Sequence, residues 1–446
     1  MAASLNQPNE FDAALGKSDG LSQVEFDAPV LGGLAGLRQQ IFNPHLAIAT
    51  RVEALSKAMA YGEAGLDLVV EILGDRRVAF SNQQDNQYPQ SIHQELSHGE
   101  SLRRATYDLL KPRSEAKIRQ LILAYNPYRF FNCSQVLAPA ESLEQGQRSP
   151  IIAVIFAANQ PQLITGSNNG WLRIWDHHSF QPLQSPCCIR SWRSDHAKLT
   201  AIAFDQNEQF ANHLVATGTD QGSIRVGHLD RGNEIVCLIG HRDRIAALAF
   251  ARNYLISSSR DGLALVWDWR SQQVVYELTG HGYPVAAVAT GIKGNLAATG
   301  SRDAVKVWDL RTGQIVRSLG GNYPIAALTF SPDENFLIVA GKDKTIKVWD
   351  IWRKQLVRTL KGHNSTVDCL AISKDGLILV SAGRDRTIKI WDWRSGRLLR
   401  NLGDDLLEQN RHGADIEAVA ISNDGGAIAS ASRDGTVRLW GMPGLV

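Results

Sequence analysis

Four times between residues 241 and 440 the chain sets a histidine, a hydroxyl, an aspartate and a tryptophan at similar offsets. The sets are His241, Ser257, Asp261 and Trp267; His281, Thr299, Asp303 and Trp308; His363, Ser381, Asp385 and Trp391; and His412, Ser430, Asp434 and Trp440. Serine, histidine and aspartate are the side chains of acyl transfer, where imidazole takes the hydroxyl proton and carboxylate orients the imidazole. Two features count against that chemistry. An enzyme needs the constellation once, not four times, and no GxSxG nucleophile elbow accompanies any copy. Metal or redox chemistry has no better footing. The five cysteines (Cys133, Cys187, Cys188, Cys237 and Cys369) include no CxxC pair. No catalytic residue, cofactor or metal is therefore expected.

The elements that carry these sets repeat as well. Residues 260–268 read RDGLALVWD, 302–309 RDAVKVWD, 342–350 KDKTIKVWD, 384–392 RDRTIKIWD and 433–440 RDGTVRLW. Each is a polar turn followed by a short strand ending in tryptophan. The terminal positions are Trp175, Gly227, Trp267, Trp308, Trp349, Trp391 and Trp440, at intervals of 40 to 52 residues. Gly240-His241, Gly280-His281 and Gly362-His363 precede the first strand of their repeats, and Phe204, Phe250 and Phe330 end it. The second strand is small and polar, as in Val380–Gly383 and Ala297–Gly300. A repeat of about 40–45 residues with GH ahead and WD at its end resembles the WD-repeat family. The likeness covers roughly residues 130 to 441.

That resemblance implies a mainly β fold: a seven-bladed β-propeller of four-stranded blades. It also recasts the quartets as buried hydrogen-bond chains running from aspartate through histidine and hydroxyl to indole, which stiffen a blade. Three repeats depart from the pattern. The first has Asn169 for the aspartate and no histidine. The second has Gln221 and Gly227-His228, keeping His196 and Thr217. The fifth has Gly321 and Val339, keeping Asp343 and Trp349. Family repeats supply three strands of one blade and the outer strand of the next, yet only six residues follow Trp440. The segment Phe131–Ala138, ahead of the first repeat, is expected to complete the last blade and so remove two exposed edges.

The residue before each turn aspartate forms a second pattern. It is Arg260, Arg302, Lys342, Arg384 and Arg433 in five repeats, with Asn168 and Asp220 in the others. In the family this position lies on the top face near the channel mouth, so five cations would focus positive potential on one rim. Two readings stand side by side. One is recognition of an acidic or phosphorylated segment; the other is a set of solvated turn residues balanced by acids. The opposite face also has basic turns at Arg270, Arg311, Arg353, Arg394 and Arg397, which counts against one-sidedness. Trp269, Trp352 and Trp393, just after the WD pairs, are expected to pack against the outer strands.

Residues 1–27 are polar and poor in large apolar side chains, and are expected to be disordered. Residues 28–127 read as helical, with stripes Ile48, Val52, Leu55, Met59 and Leu66, Val69, Val70, Leu73, then Leu102, Ala105, Leu109, Leu110 and Ile118, Leu121, Leu123, Ala124. Two helical hairpins resemble HEAT-type repeats, making a small all-α domain ahead of a propeller spanning 128–446. The arrangement resembles bacterial WD-repeat proteins with a helical N-terminal extension. The chain of 446 residues is 44% hydrophobic and 21% charged with net charge +2, an ordinary globular balance. No secretory signal or membrane span is expected, and the cysteine pattern suits a cytoplasmic protein. The expected function is a non-enzymatic scaffold that binds one or more proteins on its top face, with no small-molecule substrate. Two alternatives are an enzyme with a channel-centred site and a nucleic-acid-associated propeller. The latter has no RNA-recognition or helix-turn-helix signature behind it.

Overall fold

The computed structural model describes residues 33–74 apart from 44 and 45, isolated positions between 102 and 110, Tyr128, and most of Asn132 to Gly441. The expected tail at 1–27 and the stripe at 118–124 lie outside the described residues, as do His196 and Gly321. The chain divides into two compact units, Met1–Lys111 and Pro112–Val446.

Between residues 33 and 74 the first unit forms the helices α1 (Gly33–Phe42), α2 (Ile48–Ala58) and α3 (Gly62–Gly74), with a 3-10 turn at Met59–Tyr61. Their buried stripes differ from the predicted ones. In α2 they are Arg51, Ala54, Leu55 and Ala58, and in α3 Gly65, Leu68, Val69 and Ile72. In α3 the acidic stripe Glu63, Asp67 and Glu71 leaves a wide apolar face on which Leu66 and Val70 are only half-buried, and alanines in α2 bury where larger residues were expected to. Gly65 is fixed by close approach: a Cβ there would lie 1.8 Å from the Ala58 carbonyl oxygen. The buried Arg51 donates from Nε to the Ile41 carbonyl, 2.8 Å away, satisfying an acceptor left open at the end of α1. Among the described residues of 102–110, Leu102, Ala105, Thr106, Leu109 and Leu110 are helical, and Leu102, Thr106 and Leu110 are buried.

The second unit is a seven-bladed β-propeller. Seven four-stranded antiparallel sheets stand round an axis. Their inner strands are Ile151–Phe156, Leu199–Phe204, Ile245–Ala251, Val285–Thr290, Ile325–Phe330, Val367–Ile372 and Ile416–Ile421. Each inner strand packs against those of both neighbouring blades, the seventh against the first. Blade three shows the common plan: Ile245–Ala251 innermost, then Tyr254–Ser259, Ala264–Asp268 and, outermost, Gln273–Leu278.

Local sequence explains the plan. The second strands sit between neighbours on both faces and are wholly buried in blades two and four, so the small residues seen in sequence occupy the densest layer. Gly383 ends one of them because a Cβ there would lie 2.0 Å from the Thr366 carbonyl oxygen. A register shift immediately before each Trp position, between Val266 and Trp267 for example, leaves an extra residue in the outer strand, here Val275, a bulge of the kind that bends a strand and deepens its twist.

Closure follows the expected scheme. The strand Asn132–Leu137 pairs antiparallel with Val437–Gly441, placing Cys133 opposite Trp440 and Leu137 opposite Val437. Blade seven thus takes its outer strand from the far end of the unit. Leu137 is fully buried in the core that joins blades seven and one.

Candidate functional site

All four quartets assemble. In blade six, His363 Nδ1 lies 2.7 Å from Asp385, His363 Nε2 lies 2.7 Å from Ser381 Oγ, and Trp391 Nε1 donates to that same oxygen at 2.8 Å. Blades three, four and seven repeat the chain through His241, His281 and His412. Each aspartate also accepts the backbone N–H just after the histidine, from Arg242, Gly282, Asn364 or Gly413. It thereby locks the top turn to the blade below.

Electrostatics fix the protonation. Burial pushes the His241, His281 and His412 imidazoles below the ordinary histidine range and outweighs the raising pull of their carboxylate partners. Each is neutral at pH 7, carrying its proton on Nδ1 toward aspartate and accepting at Nε2 from the hydroxyl. Burial works against charge on the aspartates too, but donated hydrogen bonds prevail. Asp303 and Asp385 fall to about 2, and Asp434 lower still.

This is the order of contacts in a hydrolytic triad, yet it has no access for substrate. Ser257, Thr299, Ser381 and Ser430 are each 0% exposed, and each hydroxyl is already bonded to an imidazole and an indole. A nucleophile must be reached by its electrophile. These hydroxyls are closed to one by the packing around them.

The departing blades solve the same problem differently. In blade one, Trp175 keeps its bond to Thr165 at 2.9 Å, while Ser167 donates to Asn169 at 2.7 Å. In blade five, Val339 offers no hydroxyl, and the Trp349 indole N–H is buried without a well-formed hydrogen bond. Tyr323 packs into the apolar cluster beside Trp349. Burial raises its hydroxyl to about 12. Lys347 stands 3.5 Å over the Tyr323 ring and pairs with Asp343. A cation and an aromatic ring thus serve Asp343 where the other blades use histidine. Tyr323 was missed in the sequence because its counterpart in blade four, Tyr283, is an exposed turn residue.

The five rim cations follow the second strands, at the end of the ring where the inner strands begin. The backbone N–H groups of Arg260, Lys342, Arg384 and Arg433 donate to Arg244, Pro324, Thr366 and Asp415, the residues that open or immediately precede the inner strands. All five side chains are exposed, but they are not equivalent. Arg384 pairs with Asp368 at 3.1 Å, and Arg433 pairs with Glu417 and lies 3.9 Å from Asp415. Arg260, Arg302 and Lys342 have no ion pair among the described residues, and Arg302 rests over the Tyr283 ring at 5.6 Å. Blades three to five therefore present cations that blades six and seven neutralise.

The opposite face differs again. Arg311 pairs with Asp309 at 2.8 Å and Arg353 with Asp350 at 3.8 Å. Arg270 and Arg394 lie over Trp269 and Trp393 at 4.4 and 4.3 Å. Trp269 and Trp393 are packed as expected. Trp352 is not: it is 49% exposed, with Arg317 over its ring at 5.6 Å. No group of three or more histidine, cysteine, aspartate or glutamate residues that could hold a metal occurs among the described residues.

The family profile for the WD domain, G-beta repeat, matches residues 139–176, 232–268, 272–309, 313–350, 354–392 and 404–441, just over half of the chain. The chain belongs to the WD40 repeat family. Matched segments such as 272–309 start on the outer strand of one blade and end at the WD of the next. The stretch left unmatched, 177–231, contains the repeat with Gln221 and Gly227-His228. Among curated proteins, nuclear distribution protein PAC1 of Komagataella phaffii is 26% identical over 180 residues, covering 37% of this chain and 35% of that protein. Protein FIZZY-RELATED 1 of Arabidopsis thaliana is 27% identical over 164 residues, covering 36% and 33%. The match spans about a third of each relative's length. The solved WD40 β-propeller domain of Doa1 superposes with a TM-score of 0.57 at 23% identity, covering 70% of this chain and 97% of that domain; that likeness speaks for the fold alone. No helix among the described residues is long and apolar enough to cross a membrane.

Proposed function

We propose that this WD40 protein is a non-enzymatic scaffold whose top face binds acidic segments of partner proteins through the cations of blades three to five. The observation that carries this reading is the unequal pairing of the basic turns. Arg260, Arg302 and Lys342 are exposed and have no ion pair among the described residues, whereas the rim cations of blades six and seven, and Arg311 and Arg353 on the opposite face, are tied to carboxylates. Unpaired guanidinium groups on a rigid frame form bidentate bonds to oxyanions with little ordering cost. The quartets supply that rigidity and leave no reachable nucleophile.

The test is a charge reversal confined to one arc. Full-length protein carrying Arg260, Arg302 and Lys342 changed to Glu is compared with wild type and with Arg384 and Arg433 changed to Glu. Co-purified partners are identified at physiological salt. Loss of partners in the triple variant alone supports the reading. Equal recovery by all three proteins overturns it. Recovery of nucleic acid, with affinity falling steeply with salt, would move the protein to the nucleic-acid reading.

A further inference from the structure

Trp352 breaks a pattern that the neighbouring blades keep. It lies two residues after the aspartate that ends the third strand, where blades three, four and six have Arg270, Arg311 and Arg394. Its side chain is 49% exposed, yet the ring is held. The Arg317 guanidinium of blade four stands over it, and Arg317 Nη1 is itself fixed by donating to the Val316 carbonyl at 2.8 Å.

The surroundings extend the anomaly. The turn that carries Trp352 joins Thr345–Asp350 to the outermost strand, Gln355–Lys361, so it forms the corner of blade five farthest from the axis and from the top rim. Every residue from Trp352 to Arg358 is exposed. Leu356 and Val357 are 44% and 48% exposed. Val357 is the extra residue of the bulge opposite Trp349, and its counterpart in blade six, Leu399, is buried. Blade six thus covers the residue that blade five leaves bare. From Ile351 to Val367 the chain has no acidic residue. Arg353 lies 3.8 Å from Asp350, whereas Lys354, Arg358 and Lys361 have no ion pair among the described residues. Lys354 also holds the left-handed position of the turn, at φ 56°, which is Gly313 in blade four, Gly396 in blade six and Gln272 in blade three. That conformation favours glycine, so a cation stands where the backbone prefers none. An exposed apolar patch rimmed by charge marks an interaction site.

We infer that this outer corner of blade five is a docking site for an anionic lipid surface. The Trp352 indole sits among the headgroups beside Leu356 and Val357, and Lys354 and Arg358 meet the lipid anions. Charge and shape select this occupant. Tryptophan settles at the membrane–water interface, its ring against apolar chains and its N–H in the wet layer. Lysine and arginine lay their apolar stems on the same surface and keep their charges at headgroup level. A second copy of the chain would set the same cations against each other. A bilayer receives a projecting corner without needing a matching cavity. The surface lies at the far end of the third strand from the Lys342 turn, and the inference does not depend on the top-face reading.

Two substitutions separate the contributions. Trp352→Arg gives blade five the residue of its neighbours, adding a cation and removing the indole. Binding by charge alone would strengthen, whereas seating of the ring predicts a loss of about fivefold or more. Lys354→Glu should weaken binding about tenfold or more, since each cation near an anionic leaflet contributes about fivefold to partitioning. Arg270→Glu makes the same change of net charge at the matching corner of blade three and should alter binding less than about twofold.

The experiment sediments the full-length protein with vesicles of phosphatidylcholine, and with vesicles in which about 30% of the lipid is phosphatidylserine, at about 0.1 M and about 0.5 M salt. Circular dichroism melts confirm that each variant is folded. Support is partitioning to the phosphatidylserine vesicles above phosphatidylcholine alone, reduced by the higher salt, by Trp352→Arg and by Lys354→Glu, and little changed by Arg270→Glu. The inference is overturned if wild type sediments no better with phosphatidylserine than without it, or if folded Trp352→Arg binds as wild type or better. It is also overturned if Lys354→Glu and Arg270→Glu lose binding equally, because net charge and not the corner would then be responsible. A fluorescein-labelled polyglutamate peptide is titrated in parallel by anisotropy. Peptide binding that Trp352→Arg weakens, with no vesicle binding, would assign the corner to an acidic protein segment and remove the lipid surface.

Discussion

Changing Asp385 to Asn tests the quartet where its geometry is tightest. The carboxylate accepts from His363 Nδ1 at 2.7 Å, from the Asn364 and Thr387 amides at 3.0 and 3.1 Å, and from Thr387 Oγ1 at 2.9 Å. Burial alone would raise its pKa; these donors bring it from 3.8 to about 2. Each unit corresponds to about 1.4 kcal/mol, so ionised Asp385 contributes on the order of 2 kcal/mol at pH 7. A carboxylate whose folded pKa is depressed gives stability that is present above its unfolded pKa and lost as pH falls through its folded one. Asn keeps the volume and one acceptor but not the charge. Urea unfolding followed by tryptophan fluorescence should therefore show the variant about 2 kcal/mol less stable at pH 7. The gap should shrink to roughly half by pH 3, as Asp385 protonates in the unfolded chain while it stays largely ionised in the fold. A gap below about 0.5 kcal/mol at pH 7 would refute the assignment. So would a gap that stays constant between pH 7 and pH 3, because the loss would then be steric and not electrostatic.

Deleting residues 132–137 leaves Val437–Gly441 without its antiparallel partner and should cause aggregation or loss of a cooperative melt; a soluble deletion with unchanged melting temperature contradicts the closure. Val339→Thr offers the Trp349 indole the hydroxyl that Thr299 gives Trp308 at 2.8 Å, and should stabilise the protein by about 1 kcal/mol; a lower melting temperature would show that Tyr323 leaves no room for it. His241, His281 and His412 are held below the ordinary histidine range, so the unfolded chain takes up protons that the folded one refuses as pH drops below about 6.5. The urea midpoint should thus fall between pH 7 and pH 5, and a flat midpoint would mean that these imidazoles are charged in the fold.

Much of this was legible because it repeats. Tryptophan spacing gives the blade count, and the shortage of chain after Trp440 requires a closing strand from elsewhere, found at Asn132–Leu137. The quartets were legible because hydrogen-bond partners in antiparallel strands keep constant offsets from blade to blade. What escaped is what does not repeat. Tyr323 packs beside Trp349 in the repeat where Val339 and Gly321 stand in place of hydroxyl and imidazole, a combination spread over three positions. The pairing of Arg384 with Asp368, and of Arg433 with Glu417, spans sixteen residues and needs the hairpin register to be seen. In the helical unit, the face of α3 opposite Glu63, Asp67 and Glu71 is wide enough to hold more than one apolar stripe, and burial selects Leu68, Val69 and Ile72.

The turn residues join the two stories. Arg384 and Asp385 are adjacent, as are Arg260 and Asp261, Arg302 and Asp303, and Arg433 and Asp434. The aspartate turns inward, accepting from histidine and from the backbone N–H that follows it, while the cation stands outside on the same turn. The frame that orders the turn is therefore the frame that aims the charge. A loss of binding in an aspartate variant would not by itself assign recognition to the aspartate, since releasing the turn also releases its neighbour. Recognition is read from the cations alone, by substitutions such as Arg260→Gln and Arg302→Gln that leave each quartet's hydrogen bonds intact. Stability is read from the aspartates. If binding fell in step with stability across both classes, the rim would have no role separate from the blades that carry it.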